Sequence, residues 1–270
     1  MSRQNTKELW DRYWKRTRDE DDESMLDFVE NSSLWRAIET VVLSHFGSFR
    51  HLRVIELGGG RGAFSGAIAK RGADVTLLDF SSEGIDRAKV FFEKHSLPAR
   101  FMLMDLLDLD QSLFDTYDVS MSFGLAEHFR GRQRTEVLRA HFRLLRGQGM
   151  TLIAVPDKFN LAYRAYKIVL ESMGRFLVEE HPFSEKEIRE ACERIGGKDA
   201  RVLPLCRHRY ESLTGMLHYL DRKNFLRRVF PFVREDDLDS SRIGADWRFV
   251  HHVKHLFLLY AKKEGDPATR

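Results

Sequence analysis

The spacing of apolar residues changes character near residue 53. Before it, apolar residues recur at steps of three and four. Leu9, Trp10, Tyr13 and Trp14 fall on one face of a helix predicted over 7–17. Leu34, Trp35, Ile38, Val41, Val42 and Phe46 line a second helix, which Gly47 is placed to end. The acidic run 19–23 between them reads as a solvated loop. From residue 53 onward, short apolar runs alternate with helical stretches. Strands are predicted over 53–57, 74–79, 100–104, 117–123 and 150–155, with helices over 63–71, 83–95 and 133–145. Ser184, followed three residues later by Glu187, marks a capping box for a helix over 184–195, and strands are expected over 200–205 and 255–261. Such alternation argues for an α/β protein whose mostly parallel sheet is covered by helices on both faces. Segments 157–183 and 206–253 break the rhythm. Both are helical in pattern and rich in aromatics and arginines, and they read as insertions near the carboxyl ends of the strands. The expected organisation is an N-terminal helical segment over 1–49, a domain over 50–263 and a frayed tail over 264–270.

Composition narrows the class. A chain of 270 residues, 43% hydrophobic, has enough apolar material for one large core. A net charge of +3 gives no electrostatic case for nucleic acid, so a nucleic-acid partner is not expected. Cys192 and Cys206 lack metal-type spacing and read as reduced thiols. The polar N-terminus resembles no secretory signal and no apolar run approaches membrane-spanning length, so a cytoplasmic protein without a membrane partner is expected. Oligomeric state is not legible.

Candidate chemistry starts at Val54-Ile55-Glu56-Leu57-Gly58-Gly59-Gly60-Arg61-Gly62. A strand ends in an acid and enters a glycine turn that opens a helix, the arrangement that brings a nucleotide-like ligand close to backbone. Gly58, Gly60 and Ala63 also satisfy a loose dinucleotide fingerprint, with Asp79 about 20 residues on. Taken alone, the turn therefore fits a nicotinamide cofactor as well. Further motifs follow in order: Leu77-Leu78-Asp79-Phe80-Ser81 closing the second strand, Met102-Leu103-Met104-Asp105-Leu106 closing the third, and Ser122-Phe123-Gly124-Leu125-Ala126-Glu127-His128 closing the fourth. Together they resemble the class I S-adenosylmethionine-dependent methyltransferases, closely over 50–156 and loosely beyond.

That resemblance implies a doubly wound, Rossmann-like sheet of seven strands with the last antiparallel, helical insertions after strands 5 and 6, and S-adenosylmethionine as cofactor. Glu56, Gly58, Gly59 and Gly60 would receive the methionine end, and Asp79 both ribose hydroxyls. Asp105 would accept from the adenine amino group, with Phe80 and Leu106 on the ring's two faces. Phe123 and Gly124 would line the site from the fourth strand. The aromatic residues Trp10, Tyr13 and Trp14 themselves suggest an N-terminal helix lying over the cofactor as a lid, or else one packed on the domain by its aromatic stripe, with Trp10 and Tyr13 assigned to the cofactor.

For the reaction, His128 is the first choice of base, with Glu127 orienting it or binding the acceptor; a purely structural histidine is the competing reading. Some relatives with Glu-x-x-Glu-His at this place bind a divalent metal. Here Gly124 stands where the first Glu would be, so no metal is expected, although Glu127 and His128 with His181 or His208 could make a site. Asn160, Tyr163, His181, His208 and Tyr210 are the acceptor-side candidates, placed only by nearness to the binding edge. The leading expectation is methyl transfer to an O or N nucleophile of a small-molecule acceptor. A nicotinamide-dependent oxidoreductase, a methyltransferase-like binding module and a macromolecular acceptor are the alternatives.

Overall fold

The first strand, β1 (Arg53–Leu57), lies at the centre of a seven-stranded sheet. A computed structural model of the chain describes residues 6–16, 25–160, 164, 167–168, 178–204 and 256–263. The other strands are β2 (Asp74–Asp79), β3 (Arg100–Leu103), β4 (Tyr117–Phe123), β5 (Leu145–Pro156), β6 (Gly197–Pro204) and β7 (Leu256–Lys263), in the order β3-β2-β1-β4-β5-β7-β6. Pairing is parallel from β3 through β5, whereas β7 runs antiparallel to both β5 and β6. The expected doubly wound sheet with an antiparallel last strand is therefore present.

Strand order reverses between β1 and β4, which opens a crevice at their carboxyl ends. Helices α1 (Lys7–Arg16), α2 (Met25–Asn31), α3 (Ser33–Phe46), α4 (Ala63–Ala69), α5 (Ser82–Lys94), α6 (Gly131–Leu144) and α7 (Glu185–Arg194) surround the sheet. Because side chains alternate along a strand, Val54, Val75 and Leu77 meet α2–α5 on one face, while Ile55, Leu57 and Leu78 meet α6 and α7 on the other. Glu56 and Asp79 share the face of Val54 and Leu77, so both acids point toward α4 and α5 rather than into the opposite core.

Local chemistry explains the helix ends. Ser32 Oγ accepts from Trp35 N at 3.0 Å to start α3, and Gly47, at φ +74°, ends it. The capping box of α7 forms between Ser184 and Glu187 as its spacing requires. Several boundaries differ from the sequence reading. Helix α2 has no counterpart in it. This helix is only seven residues long, and it forms because Met25, Leu26 and Val29 bury against the neighbouring helices. Strand β5 starts at Leu145, paired with Tyr117, and its register then skips to Met150 opposite Val119, so the glycine-bearing turn at 146–149 bulges within the strand. Strand β3 stops one residue early and β6 starts three early. The acidic run 19–23, segment 206–253 and the tail lie outside the described residues.

Candidate active site

The glycine turn is shaped by what presses on it. Gly58, Gly60 and Gly62 all have positive φ. A Cβ on Gly62 would stand 2.1 Å from Leu77, and one on Gly58 would stand 2.6 Å from Leu125, the residue that follows Gly124 past β4. A Cβ on Gly60 would stand 2.1 Å from the indole of Trp14 in α1. The loops after β1 and β4 and the N-terminal helix therefore converge on one turn.

Two buried acids flank it. Glu56, 4% exposed, accepts a hydrogen bond from Ser65 Oγ of α4. Burial, reinforced by Asp79, pushes its carboxyl up to about 7 against the opposing pull of that hydrogen bond. Asp79, 5% exposed, accepts from Gly60 N at 2.9 Å and Ser81 N at 2.8 Å. Burial raises it to about 6 although these backbone donors pull it down. Two carboxylates pushed up this far suit a ligand that brings a cation to one and hydroxyl donors to the other.

The β3 loop is tied in by Met104 N donating to Asp79 O at 3.0 Å. Asp105 is exposed and accepts from Leu107 N at 2.9 Å, while Leu106 is buried in the core facing α6. Phe80 is half-buried at the end of β2. The ring of Phe123 lies 4.6 Å from that of Phe64 at the start of α4.

Past β4, a single 3₁₀ turn carries Glu127 and His128. His128 Nδ1 lies 2.8 Å from the Glu179 carbonyl, which can only accept, so Nδ1 holds the proton and Nε2 is the basic nitrogen. Glu127 is fully buried, and its backbone carbonyl accepts from His181 N at 2.7 Å. Arg134 of α6 is the facing cation. It pairs with Glu187 at 3.0 Å, lies 3.3 Å over the Phe183 ring, donates to the His181 carbonyl at 2.5 Å and interacts with Glu127. Burial lowers its pKa, against the pull of both glutamates. His181 thus enters the site through its backbone, and its ring accepts from Arg130. Burial and the Arg130 charge lower its pKa. Asn160, 9% exposed, follows β5. Tyr163, His208, Tyr210 and Cys206 lie outside the described residues. Cys192 is a buried free thiol pushed up to about 12 by burial, as read from the sequence.

Three features go beyond the sequence reading. Glu180, 6% exposed, brings one ligand atom to within 4.8 Å of those of Glu127 and His128, a trio able to hold a cation even though Gly124 replaces the usual acid. Arg134 gives no sequence signal, because its importance depends on where residues 179–187 fold. Of the three rings expected over the cofactor, with Trp10 and Tyr13 assigned to it, it is Trp14 that meets the glycine turn, while the Trp10 ring lies 4.9 Å from that of His128.

Comparison with known proteins points in the same direction as the motifs. Residues 54–149 match the family described as "Methyltransferase domain". Over these residues the chain is similar to a methyltransferase domain, in keeping with its sheet order. A ubiquinone biosynthesis O-methyltransferase of Xanthomonas oryzae pv. oryzae is 25% identical over 125 residues, 46% of this chain and 52% of that protein. The chain spans about half the length of the curated relatives it matches. Among solved structures, magnesium protoporphyrin IX methyltransferase from Synechocystis PCC 6803 with bound S-adenosylmethionine superposes with a TM-score of 0.58 at 15% identity, over 98% of this chain and all of that one. The Burkholderia thailandensis 1,6-didemethyltoxoflavin-N1-methyltransferase, bound to its acceptor and S-adenosylhomocysteine, gives 0.55 at 16% identity, over 96% of this chain and 87% of that one. At these identities the structures establish the fold alone. No helix among the described residues is long and apolar enough to cross a membrane.

Proposed function

We propose that this protein transfers a methyl group from S-adenosylmethionine to an oxygen or nitrogen nucleophile of a small-molecule acceptor. The reading rests on one observation: buried acids and a glycine turn at the ends of β1 and β2 share the carboxyl edge of the sheet with a histidine of fixed tautomer in the turn that follows β4. When bound, S-adenosylmethionine supplies an electrophilic methyl on sulfur. Glu56 receives the ammonium end and Asp79 the ribose hydroxyls, with Asp105 near the adenine. His128 Nε2 takes the acceptor's proton as the new bond to carbon forms and the carbon–sulfur bond breaks, leaving S-adenosylhomocysteine. Glu127 and Arg134 keep the turn that carries His128 in place. Asn160, together with Tyr163, His181, His208 and Tyr210, is assigned to the acceptor side. A small acceptor is favoured because the relatives named above act on compounds of that size.

Calorimetry with S-adenosylhomocysteine tests the cofactor half. Wild-type protein should bind it and Asp79→Ala should bind at least tenfold more weakly. An absence of heat with the wild type, or quenching of nicotinamide fluorescence instead, would overturn the assignment.

A further inference from the structure

Helix α1 touches both ends of the site. Asp11 Oδ1 accepts from Ser81 Oγ at 2.6 Å and from Glu83 N at 3.4 Å, so it binds the first turn of α5. Lys15 pairs with Glu83 at 3.2 Å, and Arg87 donates to the Trp14 carbonyl at 3.2 Å. This anchoring places the indole of Trp14 directly on Gly60. The same ring meets Gly84, where an added Cβ would stand 3.1 Å from the indole nitrogen and 3.5 Å from Asp79 Oδ2. Trp14 thus spans the gap between the glycine turn and the start of α5, with Asp79 buried beneath. From there, edge-on contacts run from Trp14 to Tyr13 (5.2 Å between centroids), from Tyr13 to Trp10 (5.5 Å) and from Trp10 to His128 (4.9 Å).

We infer that Trp14 is a plug on the cofactor cradle, and that the cofactor's arrival must displace α1 and thereby lift Trp10 from His128. The inference rests on the cofactor assignment made above. A ligand that hydrogen-bonds Asp79 and lies along Gly60 cannot share that face with an indole in van der Waals contact. Trp10 and Trp14 sit on one ten-residue helix, so they move together. Cofactor binding is then the step that uncovers His128, which sets a cofactor-first order of binding. Trp10 is a positioning residue in this scheme: it acts on the acceptor side through His128.

The sign of one substitution separates a plug from a roof. Titrating the full chain with S-adenosylhomocysteine, a plug predicts that Trp14→Ala binds at least threefold tighter than wild type. Asp11→Ala, which releases α1 from Ser81 and Glu83 and also removes a negative charge that acts on Asp79, should tighten binding in the same direction. In hydrogen exchange, the amides of residues 8–16 should lose protection when the ligand is added to wild type. Weaker binding by both variants, with residues 8–16 gaining protection, would show that α1 closes over the cofactor, and would overturn the inference while leaving the cofactor assignment intact. No binding by wild type or either variant would overturn both.

Discussion

Glu56 offers a test that depends on pH in a definite direction. Its carboxyl is raised from 4.5 to about 7, mainly by burial. Between those values the folded protein holds a proton that the unfolded chain has released, so stability falls as pH rises through that window. At about 1.36 kcal/mol per pKa unit, the fully ionised carboxylate costs on the order of 3 kcal/mol of folding stability above pH 7. Asp79, raised from 3.8 to about 6, acts in the same direction at slightly lower pH. Glu56→Gln preserves the side chain's shape and an oxygen to accept from Ser65 Oγ, but removes the charge. Urea unfolding followed by tryptophan fluorescence should therefore find the Glu56→Gln variant more stable than wild type, by a margin that grows by about 2 kcal/mol between pH 5 and pH 8. The same substitution should weaken S-adenosylhomocysteine binding about tenfold, because the ligand's ammonium loses its counter-charge. A margin that stays flat from pH 5 to pH 8 would refute the claim that the folded protein raises this group's proton affinity.

Two further substitutions probe the other half of the site. His128→Asn should lower turnover about 100-fold while leaving the S-adenosylhomocysteine dissociation constant within about twofold, as expected if Nε2 accepts the acceptor's proton; equal loss in both would assign the ring to cofactor binding instead. Arg134→Ala removes the cation facing Glu127 and Glu187, and should cost about 2 kcal/mol in urea unfolding, a figure discounted because Glu187 is partly exposed. A neutral result there would mean that Glu127 is compensated elsewhere.

How much of this is legible in the sequence depends on whether a residue's role is local. Strand ends are local signals: apolar runs that stop at Glu56, Asp79 and Gly124 place the three loops correctly, because the turn chemistry that ends a strand is written in the next few residues. Capping is legible for the same reason, at Gly47 and at Ser184 with Glu187. Helix α2 is not, because its seven residues owe their helicity to burial of Met25, Leu26 and Val29. Arg134 and Glu180 are invisible because each acts chiefly through partners about 50 residues away in the chain. The aromatic stripe of α1 is plain in the sequence, but which of its rings faces the glycine turn is not. Positions 10, 13 and 14 share one face, and only the docking of Asp11 on Ser81 decides that Trp14 takes Gly60 and Trp10 takes His128.

That docking also changes what the glycines imply. A glycine turn is usually explained by the ligand it admits, yet at Gly60 the close approach is made by the protein's own indole, and at Gly58 by Leu125. The absence of a side chain there serves packing and ligand approach through the same surface. Gly60 therefore cannot by itself distinguish a cofactor cradle from a seam between α1 and the sheet. The discrimination comes from Asp79 beneath it: a neutral side-chain oxygen could also accept from Gly60 N and Ser81 N, so a carboxylate raised in pKa by burial is a stability cost that the seam alone does not require.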